Sequence, residues 1–327
     1  MIIKPRTKPL SLLKLEALLR RLPQTHPKRP KIEEDFAKRL AGYKGEQSLD
    51  FYLSLLPEQD IHIFHDLRLP YKNHHFQMDT LLVTSSFISI LEAKHFKGTI
   101  IFDQAFSQMI RILDDKEEAY PDPIQQAKSH RNKLQGLLER FNIPPLPIIP
   151  LVVITNSYSL LKPSQSASKL PSMVIRSSLL PEKIEDIKLK HKEDILSKNE
   201  IKKLSKGLIK LNTPLDQDIL EVYRLSEQDL LSGVHCPSCF ALPIMKKRGK
   251  WVCPACATES QDAHIFSLYD YSLLIGSTIT NQKARKFLNL ASESTTKKLL
   301  RSLQSPYSGI KKGREYYLCF EKYMSNP

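Results

Sequence analysis

The sequence lacks a long hydrophobic run. Its longest apolar segment, residues 143–154, is interrupted by prolines and is shorter than the roughly 20 residues that a transmembrane helix needs. Residues 1–23 have no apolar core between their Lys and Arg residues, so no signal peptide is expected. We therefore expect a soluble cytoplasmic protein without a membrane partner.

Acidic residues are scarce relative to basic ones. The chain has 327 residues, with 49 Lys and Arg against 35 Asp and Glu, a net charge of +14. Residues 1–40 carry 11 basic and 4 acidic residues and residues 236–327 carry 14 and 6, whereas residues 41–235 carry 24 and 25. Two basic flanks around a neutral middle favour nucleic acid as partner. The alternative is a basic globular protein that binds no polyanion.

Cysteine is also scarce, and four of the five cysteines lie within 21 residues. Cys236 with Cys239 and Cys253 with Cys256 form two C-x2-C pairs separated by 13 residues. Four thiolates close a tetrahedral Zn²⁺ site with no open position, so we predict a structural zinc ribbon over residues 233–262. The alternative is a redox dithiol.

The chain has one tryptophan, Trp251. It lies in a basic segment between the cysteine pairs that is predicted to form a hairpin around Gly249. We expect Trp251 to pack on the ribbon or to stack on a base. Cys319 stands alone and is expected to be inert.

The predicted elements indicate an α/β fold with a mixed β-sheet flanked by helices. Helices are predicted over residues 10–22, 34–56 and 123–141, and strands over 61–67, 76–84, 87–95, 99–102 and 147–155. Asp122 is the expected N-cap of the third helix, with Pro123 at its first position. We assign residues 1–35 to a basic arm, 36–180 to the α/β domain and 181–232 to a charged helical linker.

The hairpin over residues 76–95 is the most informative segment. A turn at Ser85 and Ser86 places Asp79 opposite Glu92 by strand alternation. Opposed β-carbons lie roughly 5 Å apart. Two carboxylates facing each other among apolar side chains repel and are costly to desolvate, and a divalent cation relieves both problems.

The same register supplies further groups for chemistry. Gln77 is expected to face Lys94, and the carbonyl of Ala93 could join Asp79 and Glu92 as ligands of Mg²⁺ or Mn²⁺. Lys94 would point at the same water or phosphate, which suits metal-assisted hydrolysis of a phosphodiester. The alternative is a strand end at which Glu92 and Lys94 simply pair with neighbours.

Several short motifs within residues 37–155 together resemble a known family. They are Gly45-Glu46, Gln77-Met78-Asp79, Glu92-Ala93-Lys94-His95, Gly98-Thr99-Ile100, and Asp122-Pro123 followed by Gln126 and Leu134. The set resembles the nuclease-related domain (NERD), which is similar to the PD-(D/E)xK endonuclease superfamily. The resemblance implies a restriction-endonuclease-like core and a Mg²⁺-dependent nuclease site.

The resemblance also implies roles for individual residues. Asp79, Glu92 and Lys94 match the D…ExK positions, Glu46 matches a helix glutamate that assists metal binding, and Gln126 matches a polar helix residue beside the site. Met78 stands where Ile or Val is commoner, and Asp122 where Asn is commoner. No catalytic position is missing, which argues against an inactive copy.

Two further expectations concern helices near the site. Gly42 and Gly45 are expected to let the helix that carries Glu46 approach the sheet closely. His130 follows Gln126 by four residues, so both lie on one helix face, where His130 either touches substrate phosphate or is an ordinary surface histidine.

From residue 263 the sequence predicts helices and a hairpin that resemble a winged helix in outline. Lys298 and Arg301 would lie on a recognition helix, and Lys311, Lys312 and Arg314 on a wing that meets phosphate. The alternative is a helical cap on the zinc ribbon with exposed lysines of no specific role.

Our leading hypothesis is a Mg²⁺-dependent nuclease that acts on nucleic acid, with DNA preferred over RNA, and a homodimer is left open. The first rival is a non-catalytic, DNA-binding regulatory protein with a nuclease-like scaffold. The second is a protein-interaction module that uses the charged helical residues 182–210.

Overall fold

The computed structural model of the protein describes residues 1–57, 60–164 and 169–320, except the side chain of Lys312. The chain divides into two compact units, of which the first comprises residues 1–8 and 38–215 and the second residues 9–37 and 216–327. None of the described helices combines the length and the apolar character required to cross a bilayer.

The elements occur mainly in runs of consecutive strands and runs of consecutive helices. The strands are β1 (Ile2–Lys4), β2 (His62–Tyr71), β3 (His74–Val83), β4 (Ile88–Lys94), β5 (Thr99–Asp103), β6 (Gln108–Leu113), β7 (Lys116–Pro121), β8 (Ile148–Ile154), β9 (Leu160–Pro163), β10 (Val174–Arg176), β11 (Met245–Lys247), β12 (Lys250–Val252), β13 (Glu259–Ser260), β14 (Thr278–Thr280), β15 (Tyr307–Ser308) and β16 (Glu315–Tyr317). The α-helices are α1 (Leu10–Arg21), α2 (Arg29–Gln47), α3 (Leu49–Ser54), α4 (Pro123–Leu138), α5 (Leu180–Lys190), α6 (Lys198–Leu211), α7 (Ile219–Val222), α8 (Ala263–Leu274), α9 (Asn281–Leu288) and α10 (Glu293–Ser302).

The first unit is built on a six-stranded sheet with the order β1-β2-β3-β4-β8-β10. The β2–β3 and β3–β4 pairs are antiparallel, whereas β1–β2, β4–β8 and β8–β10 are parallel. Apolar side chains of both faces are buried, with Leu81 and Ile90 in one cluster and Leu82 and Leu91 in another. This confirms the predicted α/β class with a mixed sheet flanked by helices.

A second sheet of the first unit has the order β7-β6-β5-β9. Of its strands the sequence predicted only the one at residues 99–102. The strand β7 is mostly exposed, with a charged sequence, KEEAYP, that carries little strand signal. The short strands β1, β9 and β10 also went unpredicted, because segments of 3 or 4 residues give too few alternations to read.

The predicted register of the β3–β4 hairpin is confirmed. Thr80 pairs with Leu91 and Val83 with Ile88, which is the register that the turn at Ser85 and Ser86 requires. Thr84 closes the turn, since its Oγ1 donates to the carbonyl oxygen of Phe87 at 2.7 Å.

The helix α2 lies close to the end of the sheet at Gly45. A β-carbon built on Gly45 would stand 2.4 Å from Cβ of His95 and 2.9 Å from Oγ1 of Thr155, so the approach requires glycine. The corresponding expectation for Gly42 is wrong, because a β-carbon there meets nothing within 4 Å.

Substituting Gly45 by Ala should lower the urea midpoint of unfolding. Overpacking against His95 and Thr155 costs about 1–3 kcal/mol. The matched substitution Gly42→Ala, on the same helix, should leave the midpoint unchanged or raise it, because Ala is favoured over Gly by up to about 1 kcal/mol in a helix. Equal effects of the two substitutions would contradict the close approach at Gly45.

The second unit is mainly helical and carries two small sheets, β11-β12-β13 and β14-β16-β15. The basic N-terminal segment is folded: β1 belongs to the first unit, and α1 packs within the second through Leu15 and Leu18, which are fully buried. Residues 263–280 form the helix α8, which ends at Leu274, and the strand β14, which begins at Thr278.

Candidate active site and zinc centre

Asp79 and Glu92 lie where the β3–β4 ladder opens. The last backbone pair is Thr80 with Leu91, and beyond it the carboxylate of Asp79 accepts a hydrogen bond from the backbone N–H of Ala93 at 2.8 Å. The two strands therefore stay joined through the Asp79 side chain after the backbone pairing ends. Glu92, on β4, is 2% exposed.

Gln77 does not join this group. Its backbone pairs with Arg68 of β2, and its amide donates to Oδ1 of Asp66 at 2.6 Å. The predicted pairing of Gln77 with Lys94 is absent from the β3–β4 pairs of the described residues.

Lys94 and Gln126 enclose the carboxylate of Glu92. Nζ of Lys94 lies 2.9 Å from Oε1 of Glu92, and Nε2 of Gln126 donates to the same oxygen at 2.6 Å. Nζ of Lys94 also donates to Oε1 of Gln126 at 3.1 Å. The structure thus brings these three predicted residues into one hydrogen-bonded group.

The position of Gln126 is set by the start of the helix α4. Asp122 caps the helix, as predicted, by accepting a hydrogen bond at Oδ1 from the N–H of Ile124 at 2.9 Å. One turn later Gln126 faces Glu92, and a further turn on, Nδ1 of His130 lies 3.4 Å from Oε2 of Glu92, without hydrogen-bond geometry. His130 is buried, so the alternative of an ordinary surface histidine is wrong.

Glu46 is held by a residue that the sequence did not single out, Arg6. Nη1 of Arg6 donates to Oε2 of Glu46 at 3.0 Å, and its Nε donates to Oδ1 of Asp50 at 3.1 Å. Its Nη2 lies 2.8 Å from Nδ1 of His65, which must be the acceptor because a guanidinium only donates. The Arg6 side chain is 4% exposed. Arg6 was missed because it is one of 11 basic residues among the first 40.

The carboxyl groups of the site differ in the direction of their pKa shifts. Burial and the neighbouring carboxylates of Glu92 and Glu46 raise the pKa of Asp79 well above its usual value. Burial raises the pKa of Glu46 to about 7, although Arg6 acts in the opposite direction. Burial also opposes ionisation of Glu92, but His130 and Lys94 outweigh it and lower the pKa of Glu92. The site therefore combines two carboxyl groups whose ionisation is opposed, Asp79 and Glu46, with one whose ionisation is favoured, Glu92.

The donor set fits a hard divalent cation with few protein ligands. Carboxylate oxygens of Asp79 and Glu92 and the carbonyl of Ala93 are the oxygen ligands that Mg²⁺ accepts, and Mg²⁺ usually keeps several waters. The carboxylates of Glu46, Asp79 and Glu92 do not form a three-ligand cluster, because in the described chain only four cysteines bring such atoms within 4.8 Å of one another.

Replacing Arg6 by Met should destabilise the first unit. The change leaves Glu46, Asp50 and His65 without their shared donor, and removing one partner of a buried ion pair costs about 3 kcal/mol. The urea midpoint measures the effect. Arg39→Met removes the same charge from an exposed position of α2 and should change the free energy of unfolding by less than about 0.5 kcal/mol. A loss in Arg39→Met as large as in Arg6→Met would contradict the role of Arg6.

The four clustered cysteines form the candidate zinc centre of the second unit. The sulfurs of Cys236 and Cys256 lie 3.6 Å apart, and those of Cys239 and Cys253 lie 3.5 Å apart. Tetrahedral Zn–S bonds of about 2.3 Å place sulfurs about 3.8 Å apart, so the spacing fits zinc. All four ligand positions are filled by cysteine, as a structural site requires.

The basic hairpin predicted between the cysteine pairs is confirmed. Strands β11 and β12 pair around a turn at Arg248 and Gly249, where Gly249 has φ +89°. Trp251 is 1% exposed and its ring lies 6.2 Å from that of His264, so the packing alternative is confirmed and stacking on a base is wrong.

The chain should bind one zinc ion, measurable by mass spectrometry of metal content after exhaustive dialysis. Cys253→Ser should lose that zinc and lower the thermal midpoint, because metal binding free energy stabilises the folded ribbon. Cys319→Ser removes an exposed cysteine outside the cluster and should keep the zinc. Retention of a full equivalent by Cys253→Ser would contradict the four-cysteine site.

The predicted nucleic-acid residues lie at the surface of the second unit. Lys298 and Arg301 are exposed on α10, and Lys311 is exposed in the turn before β16. The guanidinium of Arg314 lies 4.1 Å from the ring centroid of Tyr307. The side chain of Lys312 lies outside the described part of the chain.

Comparison with known proteins identifies two regions of the chain. Residues 41–155 match the family model NERD, the nuclease-related domain, and the matched region includes Glu46, Asp79, Glu92, Lys94 and Gln126. Residues 230–257 match the family model of the Sjogren's syndrome/scleroderma autoantigen 1 (Autoantigen p27), over the cysteine cluster. No curated protein and no solved structure matches the chain significantly.

Proposed function

We propose that the protein is a Mg²⁺- or Mn²⁺-dependent nuclease that hydrolyses phosphodiester bonds in DNA. The observation that carries the proposal is the convergence of Asp79, Glu92, Lys94 and Gln126 at the open end of one hairpin within a nuclease-related domain. These residues are far apart in the sequence, and the fold brings them together at this one place.

Each residue has a role that its contacts support. Asp79, Glu92 and the carbonyl of Ala93 would hold the cation, and the cation would favour the ionised forms of the two carboxyl groups. When bound, the ion supplies Lewis acidity toward water and a phosphate oxygen. Lys94, an ammonium beside these ligands, orients the attacking water and pairs with the phosphate.

The surrounding residues position this group. Gln126 donates to Glu92 at 2.6 Å and fixes the rotamer of its carboxylate. Glu46, aligned by Arg6, assists the metal site from α2 through water. Preorganised groups of this kind lower the barrier because they need not reorganise during the reaction.

The second unit would supply phosphate affinity. The exposed basic residues Lys298, Arg301 and Lys311, together with Arg314 and Lys312, suit contacts to the nucleic-acid backbone, which position a protein without reading sequence. In this proposal the Lys298–Arg301 helix and the hairpin after it act as a winged-helix-like DNA-binding domain, and the zinc ribbon stabilises the unit. DNA rather than RNA, and the cytoplasm as location, belong to the same proposal.

One observation favours the first rival, a non-catalytic DNA-binding protein. Lys94 is paired with Glu92 at 2.9 Å, and the described carboxylates do not gather three ligand atoms within 4.8 Å. A scaffold that has lost its activity would show both features. Metal-dependent cleavage separates the two functions.

The purified full chain should cut DNA with Mg²⁺ or Mn²⁺ and not with EDTA. Plasmid, linear duplex, single-stranded DNA and RNA are assayed side by side. Asp79→Asn and Lys94→Met should each reduce the rate about 100-fold or more, equivalent to about 2.7 kcal/mol of transition-state stabilisation. Asp115→Asn, a matched change in the exposed β6–β7 turn, should leave the rate unchanged.

Two results would refute the nuclease proposal. One is that all four substrates stay intact at every metal concentration while the protein is folded. The other is cleavage that persists in Asp79→Asn and Lys94→Met, which would point to a contaminating enzyme.

A further inference from the structure

A cleft of 1420 Å³ lies in the first unit, away from the carboxylate site. It is bounded by α5, by α6 and by the turn between β3 and β4, whereas the candidate active site lies at the other end of those two strands. None of the proposed catalytic residues lines the cleft. The cleft therefore needs an explanation of its own.

Five lysines line this cleft, against three acidic residues, Asp60, Glu185 and Asp194. Lys198, Lys202 and Lys206 follow each other at every fourth residue of α6, so they form one row, and Lys188 and Lys192 lie across from it. Lys188 lies 3.3 Å from Oδ2 of Asp60. No acidic group of the described chain lies within ion-pair distance of the other four.

A row of like charges is unfavourable in an isolated helix. Like-charged residues four apart destabilise a helix by a few tenths of a kcal/mol per pair. The helix α6 tolerates the row because Leu204 and Leu208 are fully buried on its opposite face. An anionic ligand in the cleft would neutralise the row.

The walls between the lysines are aliphatic. Ile184, Leu189, Ile201 and Ile209 line the cleft, and Leu189 and Ile209 are 56% and 39% exposed. Phe87 is the one Phe, Tyr or Trp among the described lining residues, and it is 1% exposed. Nucleic-acid grooves stack bases on accessible aromatic rings, which this cleft does not offer.

We propose that this cleft binds an acidic amphipathic helix of a partner protein. The apolar face of such a helix packs on the isoleucines and leucines, and its carboxylates meet the lysine rows, which is the helix-in-groove mode of recognition. A helix about 10 Å across fills 1420 Å³ with roughly three turns, or about 12 residues. Charge complementarity supplies specificity and speeds association.

The test uses the full-length protein and a designed, fluorescently labelled peptide of about 12 residues. Leucines occupy one helical face of the peptide and glutamates the remainder, and a second peptide carries lysines in place of the glutamates. Fluorescence anisotropy should show that the glutamate peptide binds, that the lysine peptide does not, and that binding weakens as salt is raised.

Two double variants on α6 locate the binding. Lys202→Glu with Lys206→Glu, inside the cleft, should weaken binding of the glutamate peptide about tenfold or more. Lys203→Glu with Lys210→Glu makes the same change of charge on the same helix outside the cleft, and should change the affinity less than about twofold. Ile209→Ser should weaken binding without any change of charge.

The proposal is overturned if the folded protein fails to bind the glutamate peptide at about 1 mM. It is also overturned if both double variants lose affinity equally. The other candidate ligands are a single-stranded oligodeoxynucleotide and vesicles with anionic lipid. If one of them binds in place of the peptide, and if Lys202→Glu with Lys206→Glu abolishes that binding, the cleft belongs to that ligand and the proposal is wrong. DNA cleavage should be unchanged in this variant, so the result is independent of the proposed nuclease function.

Discussion

The arrangement of the first unit depends on an electrostatic constraint, the gathering of acidic side chains beside an apolar sheet. Burial and the nearby carboxylates of Glu92 and Glu46 oppose ionisation of Asp79, although the oxygens of the three groups do not gather within 4.8 Å of one another. Arg6 and Lys94 offset part of this unfavourable effect, one at each side of the group. A divalent cation would relieve the remainder.

The strand order of the first unit brings the residues of this site together. Because β3 and β4 are antiparallel and β4 and β8 are parallel, the end of β4 lies between the start of β3 and the helix that precedes β8. Side chains from Asp79, Glu92 and Gln126 can therefore meet although 47 residues separate the first from the last. The close approach of α2 at Gly45 adds Glu46 from a fourth direction.

Sequence reasoning succeeded where a short-range rule determined the outcome. A two-residue turn and the alternation of side chains along the strands predict the hairpin register. An Asp before Pro predicts the start of α4, and the matched C-x2-C pairs predict the cysteine cluster. It failed where long-range contacts decide. Nothing local distinguishes Arg6 from its basic neighbours, because its partners Glu46, His65 and Thr80 lie 40 to 74 residues away.

Other features were equally inaccessible from the sequence. Gly42 and Gly45 look alike in the sequence, yet only Gly45 faces another segment of the chain. The lysine-lined cleft likewise arises from two helices whose charges look like an ordinary solvated face when each is considered alone. Whether a charged helix faces solvent or a cleft depends on the elements packed beside it. Local periodicity carries no information about those elements.

The net charge of each folded unit differs from the net charge of the sequence segments, because the chain passes from the first unit to the second and back. In the sequence, the positive charge belongs to two flanks around a neutral middle. In the fold, residues 1–8 and 38–40 join the first unit, which then holds 28 basic and 20 acidic residues, a net charge of +8. The second unit, with 21 basic and 15 acidic residues, carries +6. The first unit thus carries a net positive charge of its own, whose field extends over about a Debye length.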